Sequence, residues 1–520
     1  MTWTAETSQG DEAAKVRWEI AEYTRGRVLD LGCGTNKCYP HFIGVDNGHH
    51  AQFGLRIKPD VFVKDCAKLD LFASQSMDAV FSSHLLEHFE YEKVPGILKE
   101  WLRVVRPGGH LILYVPDEAE YPLVGDPHAN PDHKWNVNYE RVIEAMREAG
   151  SWDLVDFQKR NADDEYSLLF IFKRLVTPKA THLFSHKNPK PAKTACVFRT
   201  AAFGDLMQAS AIFAGLKKAG YHVTVMASPP GSQVIEHDPN IDKLILLDKD
   251  QVPNQALGPF WAHQRKKYDK FVNLSESVEG ANLSLPWHAS YEWPVEMRRK
   301  YMDRNYVEFA HQLAQIPFEP PQIRFYATDE EKAWAKKQRA RMGPFVVLWS
   351  LAGSSVHKHW PHMDALMARI FLSCPEAQIV LVGGEECKIL EQGWENEPRV
   401  HRHCGDWSIR QSLAFIDEAD LVIGPETGVL NAAAMRSVPK ILFLSHSSKN
   451  QLSRDWVNCA SMAPSQKDVP CYPCHRLIFK WSQCVKDEEA GAALCQSKIS
   501  VDAVWAEVEK VLMKKFERAA

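Results

Sequence analysis

Short glycine-bearing turns at the ends of apolar runs constrain this chain more than any other feature, and two sets of them occur, the first and last members nearly four hundred residues apart. The first is Val28-Leu29-Asp30-Leu31-Gly32-Cys33-Gly34. The second is a pair, Phe203-Gly204-Asp205-Leu206 near the middle and Gly424-Pro425-Glu426-Thr427-Gly428 near the end. In each, a strand-like pattern gives way to a helix-like one. At that junction an open α/β sheet presents free N–H groups and a helix dipole to phosphates or a nucleoside. One chain with two such sets, so far apart, reads as two nucleotide-binding enzymes joined end to end.

Size allows this. At roughly 100–200 residues per domain, 520 residues suggest about three domains. Hydrophobic residues make up 45% and charged residues 25%, ordinary for full-sized cores. The formal net charge of -4 gives no bulk argument for nucleic acid or an anionic membrane, although it is compatible with a local basic groove. The stretch from Met1 to Gly10 is polar and has no apolar core, unlike a secretory signal. No apolar run reaches the ~18 residues that a spanning helix needs. The 12 cysteines are scattered along a long chain, which suits a reducing, cytoplasmic setting better than a disulfide scaffold.

The first block runs to residue 176. Apolar runs at 27–31, 41–45, 61–63, 78–82, 109–115, 152–157 and 166–173 read as strands, with helices over 92–105 and 137–149. Alternating strands and helices imply a parallel, doubly wound sheet, and the last two runs, separated by a polar turn, read as a closing hairpin. The stretch 177–193, rich in proline, lysine and histidine, reads as a linker. The pattern restarts with a strand at 194–198, a helix at 206–219 and a strand at 221–226. A third α/β unit follows, with strands at 345–349, 378–382, 420–423 and 440–444. The charged segment 329–341 reads as a solvated helix bridging two halves.

Within the first block, Asp30 ends an apolar strand before the Gly32–Gly34 turn, where a β-carbon would block a ligand's approach to the backbone. Asp46 ends the next strand, Ile43-Gly44-Val45-Asp46, where a carboxylate suits a ribose diol. Lys64-Asp65-Cys66, Phe81-Ser82-Ser83-His84, Leu86-Glu87-His88-Phe89 and Arg106-Pro107-Gly108-Gly109 follow in order. This ordered set resembles the class I S-adenosylmethionine-dependent methyltransferases over nearly the whole block. The resemblance implies that Gly32 and Gly34 face the amino-acid part of S-adenosylmethionine, and that Asp30 belongs to the same cofactor-binding set. It further implies that Asp46 binds the ribose, that Asp65 and the Cys66 backbone bind the adenine, and that Ser82 and His84 line the pocket near the sulfonium. Two features depart from the family pattern. Asn36 replaces the third small residue of the loop, and the segment between Gly34 and Asp46 is short for a helix and carries Pro40. A dinucleotide-binding unit is the alternative, but it has no use for Leu-Glu-His or Arg-Pro-Gly-Gly. The loop from Asp126 to Trp135 falls where a lid over a methyl acceptor is expected. His133 is a candidate base towards a hydroxyl, with an unperturbed pKa near ~6.5. Packing or capping is an equal alternative for it, and alignment alone can suffice for methyl transfer.

Further on, Asp205 opens a helix, either as its cap or as a base facing a cleft. Ser350 to Ser355, Lys358-His359-Trp360-Pro361, Val382-Gly383-Gly384-Glu385 and Gly424 to Gly428 with Asn431 follow. Over residues 194 to 516 this constellation resembles the ADP-heptose:lipopolysaccharide heptosyltransferases, which have a GT-B fold of two Rossmann-like halves. By that resemblance Asp205 is the catalytic base. Lys358, with Thr427 and Gly428, meets the diphosphate of a nucleotide-sugar donor, ADP-linked in the family. Glu385 reaches the nucleoside, and no catalytic metal is required. Glu426 stands where the family usually has aspartate, and Asn431 where it often has histidine, so the donor sugar is left open. The segment 271–276 is expected to end a strand facing the acceptor. The apolar stripe at 501, 504, 505, 508, 511 and 512 predicts an amphipathic terminal helix, which in GT-B folds often crosses back to the first half.

Cys471-Tyr472-Pro473-Cys474, Cys484 and Cys495 can supply a four-thiolate structural zinc site. Unligated thiols or disulfides are the alternative.

The sequence therefore predicts an α/β protein with a Rossmann-like methyltransferase sheet over 1–176, a linker over 177–193, and GT-B halves over 194–328 (acceptor) and 329–520 (donor). The expected chemistry is inverting sugar transfer and methyl transfer to a hydroxyl of one glycan or lipid-linked acceptor, with peripheral membrane contact allowed. Shared intermediates at high effective concentration motivate the fusion. The same chemistries on a modified DNA base, or one half serving as a non-catalytic binding module, are the rival readings.

Overall fold

The computed structural model describes residues 12–50, 55–162, 164–176, 193–319, 322–353 and 358–517. Of the expected linker, only residue 193 lies within that set. The chain forms two compact units, Met1–Lys190 with Leu247–Lys267, and Pro191–Leu246 with Tyr268–Ala520.

The first unit is built on a seven-stranded sheet. Its elements are β1 (Val28–Leu31), β2 (Ile43–Asp46), β3 (Val61–Phe62), β4 (Met77–Ser83), α1 (Val94–Val104), β5 (Val105–Pro116), α2 (Tyr139–Ala149), β6 (Trp152–Arg160) and β7 (Ser167–Arg174). The strand order is β3-β2-β1-β4-β5-β7-β6. The first five strands are parallel, and β7 and β6 close the edge antiparallel. The order reverses at β1, so the crevice at the carboxyl ends of β1 and β4 is the switch point where such sheets bind ligands.

The central strands are apolar on both sides because both faces are covered. On β7, Leu168, Phe170 and Phe172 pack into one core, and Leu169 and Ile171 into the opposite one. α1 buries Val94, Ile97, Leu98, Trp101 and Leu102, the i, i+3, i+4, i+7 stripe of a helix laid on a sheet. The short, proline-bearing connection from β1 to β2 contains no helix. Cys38, Tyr39 and Phe42 fill that space with side chains at most 1% exposed.

The helix Leu257–Arg265 also belongs to the first unit, although its sequence position lies within 194–328. Phe260 packs edge-on against Trp18 at 5.6 Å, and His263 and Lys267 both pair with the Glu19 carboxylate.

The second unit has two fully parallel sheets. The first contains β8 (Thr194–Arg199), β9 (His222–Ala227), β10 (Lys243–Leu246) and β11 (Lys270–Asn273) in the order β10-β9-β8-β11, with α3 (Phe203–Ala209) following β8. The second contains β12 (Phe345–Ser350), β13 (Ala377–Val382), β14 (Val400–Arg402), β15 (Leu421–Pro425), β16 (Lys440–Phe443) and β17 (Cys459–Met462) in the order β14-β13-β12-β15-β16-β17. Two Rossmann-like halves in one unit are the GT-B layout. One apolar cluster runs through both, from Ala195 and Val197 to Val346 and Leu348.

Two local expectations differ. The segment 329–341 forms α4 (Asp329–Arg339), which is docked on the second half, where Trp334 packs against Trp407 and Glu331 pairs with Arg410. After α5 (Met363–Ser373) and α6 (Gly428–Ala433), the terminal helix α7 (Val501–Glu517) buries Val504, Trp505, Val508 and Leu512 in the same cluster as Leu366 and Ile370 of α5. It thus stays on the second half instead of crossing back, and Arg369–Asp502 and Lys515–Asp420 ion pairs border the contact.

Candidate functional site

At the switch point of the first unit, Gly32 and Gly34 have φ of +66° and +54°, the left-handed region that glycine enters without cost. The space a Gly34 side chain would take is open for 4 Å around. The turn is tied to the neighbouring strand, because Gly32 N donates to Val45 O at 2.9 Å. Asp46 accepts from Gly34 N at 3.2 Å and from Gly48 N at 2.9 Å. Asp30 accepts from Cys38 N at 2.8 Å. Asp30, Gly32, Gly34 and Asp46 therefore form one connected group. Asp65 is exposed and accepts from Ala67 N at 2.8 Å. The Cys66 carbonyl takes the Trp101 indole N–H at 2.8 Å, and burial pushes its thiol up to about 12. Ser82 lies at the end of β4 with its hydroxyl buried and unpartnered.

Beyond Ser82 the backbone turns sharply. His84 has φ +49°, and a short 3₁₀ turn, Leu86–His88, follows. Glu87 is 0% exposed, and neither of its carboxylate oxygens has a hydrogen-bond partner. Burial pushes its pKa up to about 8. His133 Nε2 and His84 Nδ1 each stand 3.6 Å from Glu87 Oε1. Burial lowers both imidazoles, His84 to about 3 and His133 to about 4, so both are neutral near pH 7. The loop 126–135 is pinned to this turn twice, by Lys134 N donating to Glu87 O at 2.8 Å and by Trp135 Nε1 donating to Leu86 O at 3.4 Å. Tyr121 packs against both His133 and Tyr166, and Tyr166 against His84. The result is a cup of rings over the Glu87 carboxylate.

In the second unit Asp205 lies in the first turn of α3, whose cap residue Ala202 makes no side-chain hydrogen bond. The Asp205 carboxylate does not cap the helix. It accepts from Arg199 Nη2 at 2.6 Å and remains 38% exposed. Arg199 is buried, and its Nη1 donates to Leu274 O at 2.9 Å, which fixes the guanidinium between the ends of β8 and β11.

The Gly204 backbone meets the start of α6. A β-carbon on Gly204 would lie 2.9 Å from Asn431 Nδ2 and 3.7 Å from Gly428 N. One on Gly428 would lie 2.8 Å from Phe203 Cβ. Gln208 Nε2 donates to Asn431 Oδ1 at 2.9 Å. Asp205 and Thr427-Gly428 therefore border one crevice between the two halves of this unit.

Behind the crevice, Lys358 Nζ donates to Glu426 O at 2.9 Å and stands 3.9 Å from Glu426 Oε2. Two of its three donors remain for other partners. Glu426 accepts from Ser445 Oγ at 2.6 Å, Ser445 N at 3.2 Å and Ser447 N at 3.1 Å, and lies 2.9 Å from His446 Nδ1. Burial alone would raise its pKa. His446, Lys358 and the Ser445 hydroxyl outweigh burial and hold it well below the usual carboxylate range. Its oxygens are spent inside the protein, so it fixes Lys358 and the Ser445–Ser447 turn. Thr427 caps α6 and shares a 3.1 Å hydroxyl contact with Ser350. Glu385 is 73% exposed and pairs with Lys388 at 3.0 Å. Ser354 and Ser355 lie outside the described residues.

All twelve cysteines are free. Burial raises the Cys474 thiol to about 12 and Cys484 to about 11, and the charges of neighbouring cysteines add to both shifts. Cys495 is raised by burial and by Cys474, Cys484 and Cys471. Among the described residues, however, no three of these sulfurs lie within 4.8 Å of one another. Arg298, donating to Cys474 O at 2.7 Å, and Arg299, bound to Tyr472 O, anchor their loop.

Sequence reasoning assigned no role to Arg199, Glu87, His88, Ser445 or His446. A buried arginine at a strand end just before Gly-Asp is a usable signal for the first. The others meet His133 or Glu426 through long-range packing.

Residues 29–113 match the family described as Methyltransferase domain, and the chain carries such a domain in its first unit. A curated relative, the probable tRNA methyltransferase 9B of Mus musculus, is 35% identical over 96 residues. That match covers 17% of this chain and 21% of the relative, so the chain spans about a fifth of the relative's length.

Among solved structures, the glycosyl transferase family 9 protein from Veillonella parvula aligns at 16% identity over 62% of this chain and 98% of its own, with a TM-score of 0.46. The E. coli ADP-heptose lps heptosyltransferase II aligns at 16% identity over 62% and 99%, with a TM-score of 0.42. An S-adenosylmethionine-dependent methyltransferase from Mesorhizobium loti aligns at 16% identity over 32% and 99%, with a TM-score of 0.24. No helix among the described residues is long and apolar enough to cross a membrane.

Proposed function

We propose that the chain is a bifunctional transferase, with an S-adenosylmethionine-dependent methyltransferase in its first unit and an inverting glycosyltransferase in its second, both acting on one glycan or lipid-linked sugar. The observation that carries the second activity is the juxtaposition of the Arg199-anchored Asp205 carboxylate with the start of α6 across a glycine–glycine contact. In this reading Asp205 takes the proton from an acceptor hydroxyl, whose oxygen attacks the anomeric carbon of the donor. The bond from that carbon to the diphosphate oxygen breaks, and the nucleoside diphosphate leaves. Lys358 and the Thr427-Gly428 backbone meet the charge that develops on the leaving group. Glu426 orients Lys358, and Glu385 lies at the nucleoside end.

For the first unit, the open face of the Gly32–Gly34 turn and the Asp46 carboxylate beside it fit a nucleoside cofactor. S-adenosylmethionine, when bound, supplies a methyl group made electrophilic by its sulfonium. Gly32 and Gly34 would take its amino-acid part, Asp46 the ribose, Asp65 and the Cys66 backbone the adenine, and Ser82 would face the reacting end. The ring-lined cup of Tyr121, Tyr166 and His133 supports a sugar acceptor, since aromatic faces pack against the C–H faces of pyranose rings. Among the described residues no three of the Cys471, Cys474, Cys484 and Cys495 sulfurs lie within 4.8 Å of one another, so these thiols do not form the four-thiolate zinc site that their spacing suggested.

The test is to incubate the full chain with a labelled sugar nucleotide, labelled S-adenosylmethionine and a glycan acceptor. Both labels on one product support the proposal. Methyl label confined to an acceptor that is not a glycan removes the shared-acceptor reading, and no sugar label on any acceptor removes the glycosyltransferase.

A further inference from the structure

Among the described residues, Glu87 is a buried acid whose carboxylate oxygens both lack a hydrogen-bond partner, in a unit whose other buried polar groups are mostly paired. A buried polar side chain left without a partner costs free energy, so the position calls for one. The groups facing it are imidazoles. One donor atom each from Glu87, His88 and His133 lies within 4.8 Å of the others, and His84 Nδ1 stands 3.6 Å from Glu87 Oε1 on another side.

The geometry points to a divalent transition-metal site formed by Glu87, His88 and His133, with His84 as a fourth, outer group. Two ligands about 2.1 Å from a tetrahedral centre stand about 3.4 Å apart, close to the 3.6 Å between Glu87 Oε1 and His133 Nε2. Two imidazoles and one carboxylate suit Zn²⁺, Mn²⁺, Fe²⁺ or Co²⁺ better than the all-oxygen cage preferred by Mg²⁺. The site is also preorganised. Glu87 and His88 are adjacent on a 3₁₀ turn, and the Lys134 N to Glu87 O bond sets His133 against it. The Ser167 hydroxyl, 3.1 Å from His84 Nε2, holds that ring beside Glu87.

Three protein ligands leave open positions, the mark of a site that binds substrate. Resting on the hydroxyl-methylation reading above, the open positions take the acceptor oxygen. Coordination lowers the pKa of its hydroxyl, and the proton passes to solvent. The oxygen pair then forms the O–CH₃ bond as the S–CH₃ bond breaks, and that electron pair stays on sulfur as a neutral thioether.

The experiment uses the full chain stripped with a chelator and then titrated with Co²⁺, in wild type, Glu87→Gln and His133→Ala. Bound metal is counted, and S-adenosylmethionine affinity is measured in parallel. The expected result is that each variant binds one equivalent less than wild type, loses the nitrogen/oxygen-ligated Co²⁺ absorption, and binds S-adenosylmethionine as wild type does. Ser167→Ala, which touches only the outer His84, is expected to leave the Co²⁺ stoichiometry at the wild-type value. Equal Co²⁺ stoichiometry and spectra in wild type and both variants overturn the site. Any thiolate-bound metal at the cysteine cluster persists in all of them and is removed by Cys471→Ser. A bound ion with no methyl transfer to any hydroxyl upholds the site and defeats only the hydroxyl-acceptor reading.

Discussion

Asp205 and Glu426 are both carboxylates beside one crevice, and their surroundings give them opposite duties. Asp205 is part-exposed and held by a single arginine. It can therefore meet a substrate and exchange a proton. Asp205→Asn is expected to lower the kcat of sugar transfer by about 10²- to 10⁴-fold, the usual worth of a positioned base, with donor affinity nearly unchanged. Single-turnover transfer and donor titration check this. Glu426, by contrast, is buried and engaged by Ser445, Ser447, His446 and Lys358. Glu426→Gln leaves cations without their partner and is expected to cost about 3–5 kcal/mol, read from denaturant midpoints at pH 7. The sign with pH follows from the depressed pKa. The stabilisation is fully present above the ordinary glutamate value of about 4.3 and is lost as pH falls towards the lower folded-state value. The wild-type advantage over the glutamine variant therefore shrinks on acidification.

At the scale of elements, turns and caps carry more than the regular strands do. The Gly32 turn has a positive φ, and a β-carbon there would come 3.0 Å from the Leu85 side chain. Gly32→Ala is expected to weaken S-adenosylmethionine binding by about 5- to 30-fold, since roughly 1–2 kcal/mol of left-handed strain must be relieved by moving the turn. Calorimetric titration measures it. The capping box at the start of α4, in which Thr328 and Glu331 each bond the other's backbone, makes a purely structural prediction. Thr328→Ala is expected to cost about 1 kcal/mol and to leave both transfer reactions at wild-type rates.

On the scale of the whole molecule, the chain divides into two units with separate sheets and separate cores. The two chemistries should accordingly be separable by single substitutions. Asp46→Ala is expected to abolish methyl transfer and spare sugar transfer. Asp205→Asn is expected to spare methyl transfer when a glycosylated acceptor is supplied ready-made. Parallel assays of both labels check this, and loss of both reactions in either variant would argue for one composite site.

The sheets were legible in the sequence because their central strands are buried on both faces and read as unbroken apolar runs. Leu168 to Phe172 in the first unit and Phe345 to Trp349 in the second are such runs. The glycine turns were legible for a related reason, since a ligand-facing turn at a strand end tolerates few other residues. Less was readable where partners lie far apart in the chain. That Leu257–Arg265 clusters with the first unit depends on Trp18 and Glu19, more than two hundred residues away, and the docking of α7 depends on α5. The same holds for the Glu87 cluster. Local sequence determined the strands, the turns and the kinds of chemical group at their ends. Only tertiary structure decided which of those groups would share a desolvated space, because burial and pairing are properties of what folds back against a residue and not of its neighbours in the chain.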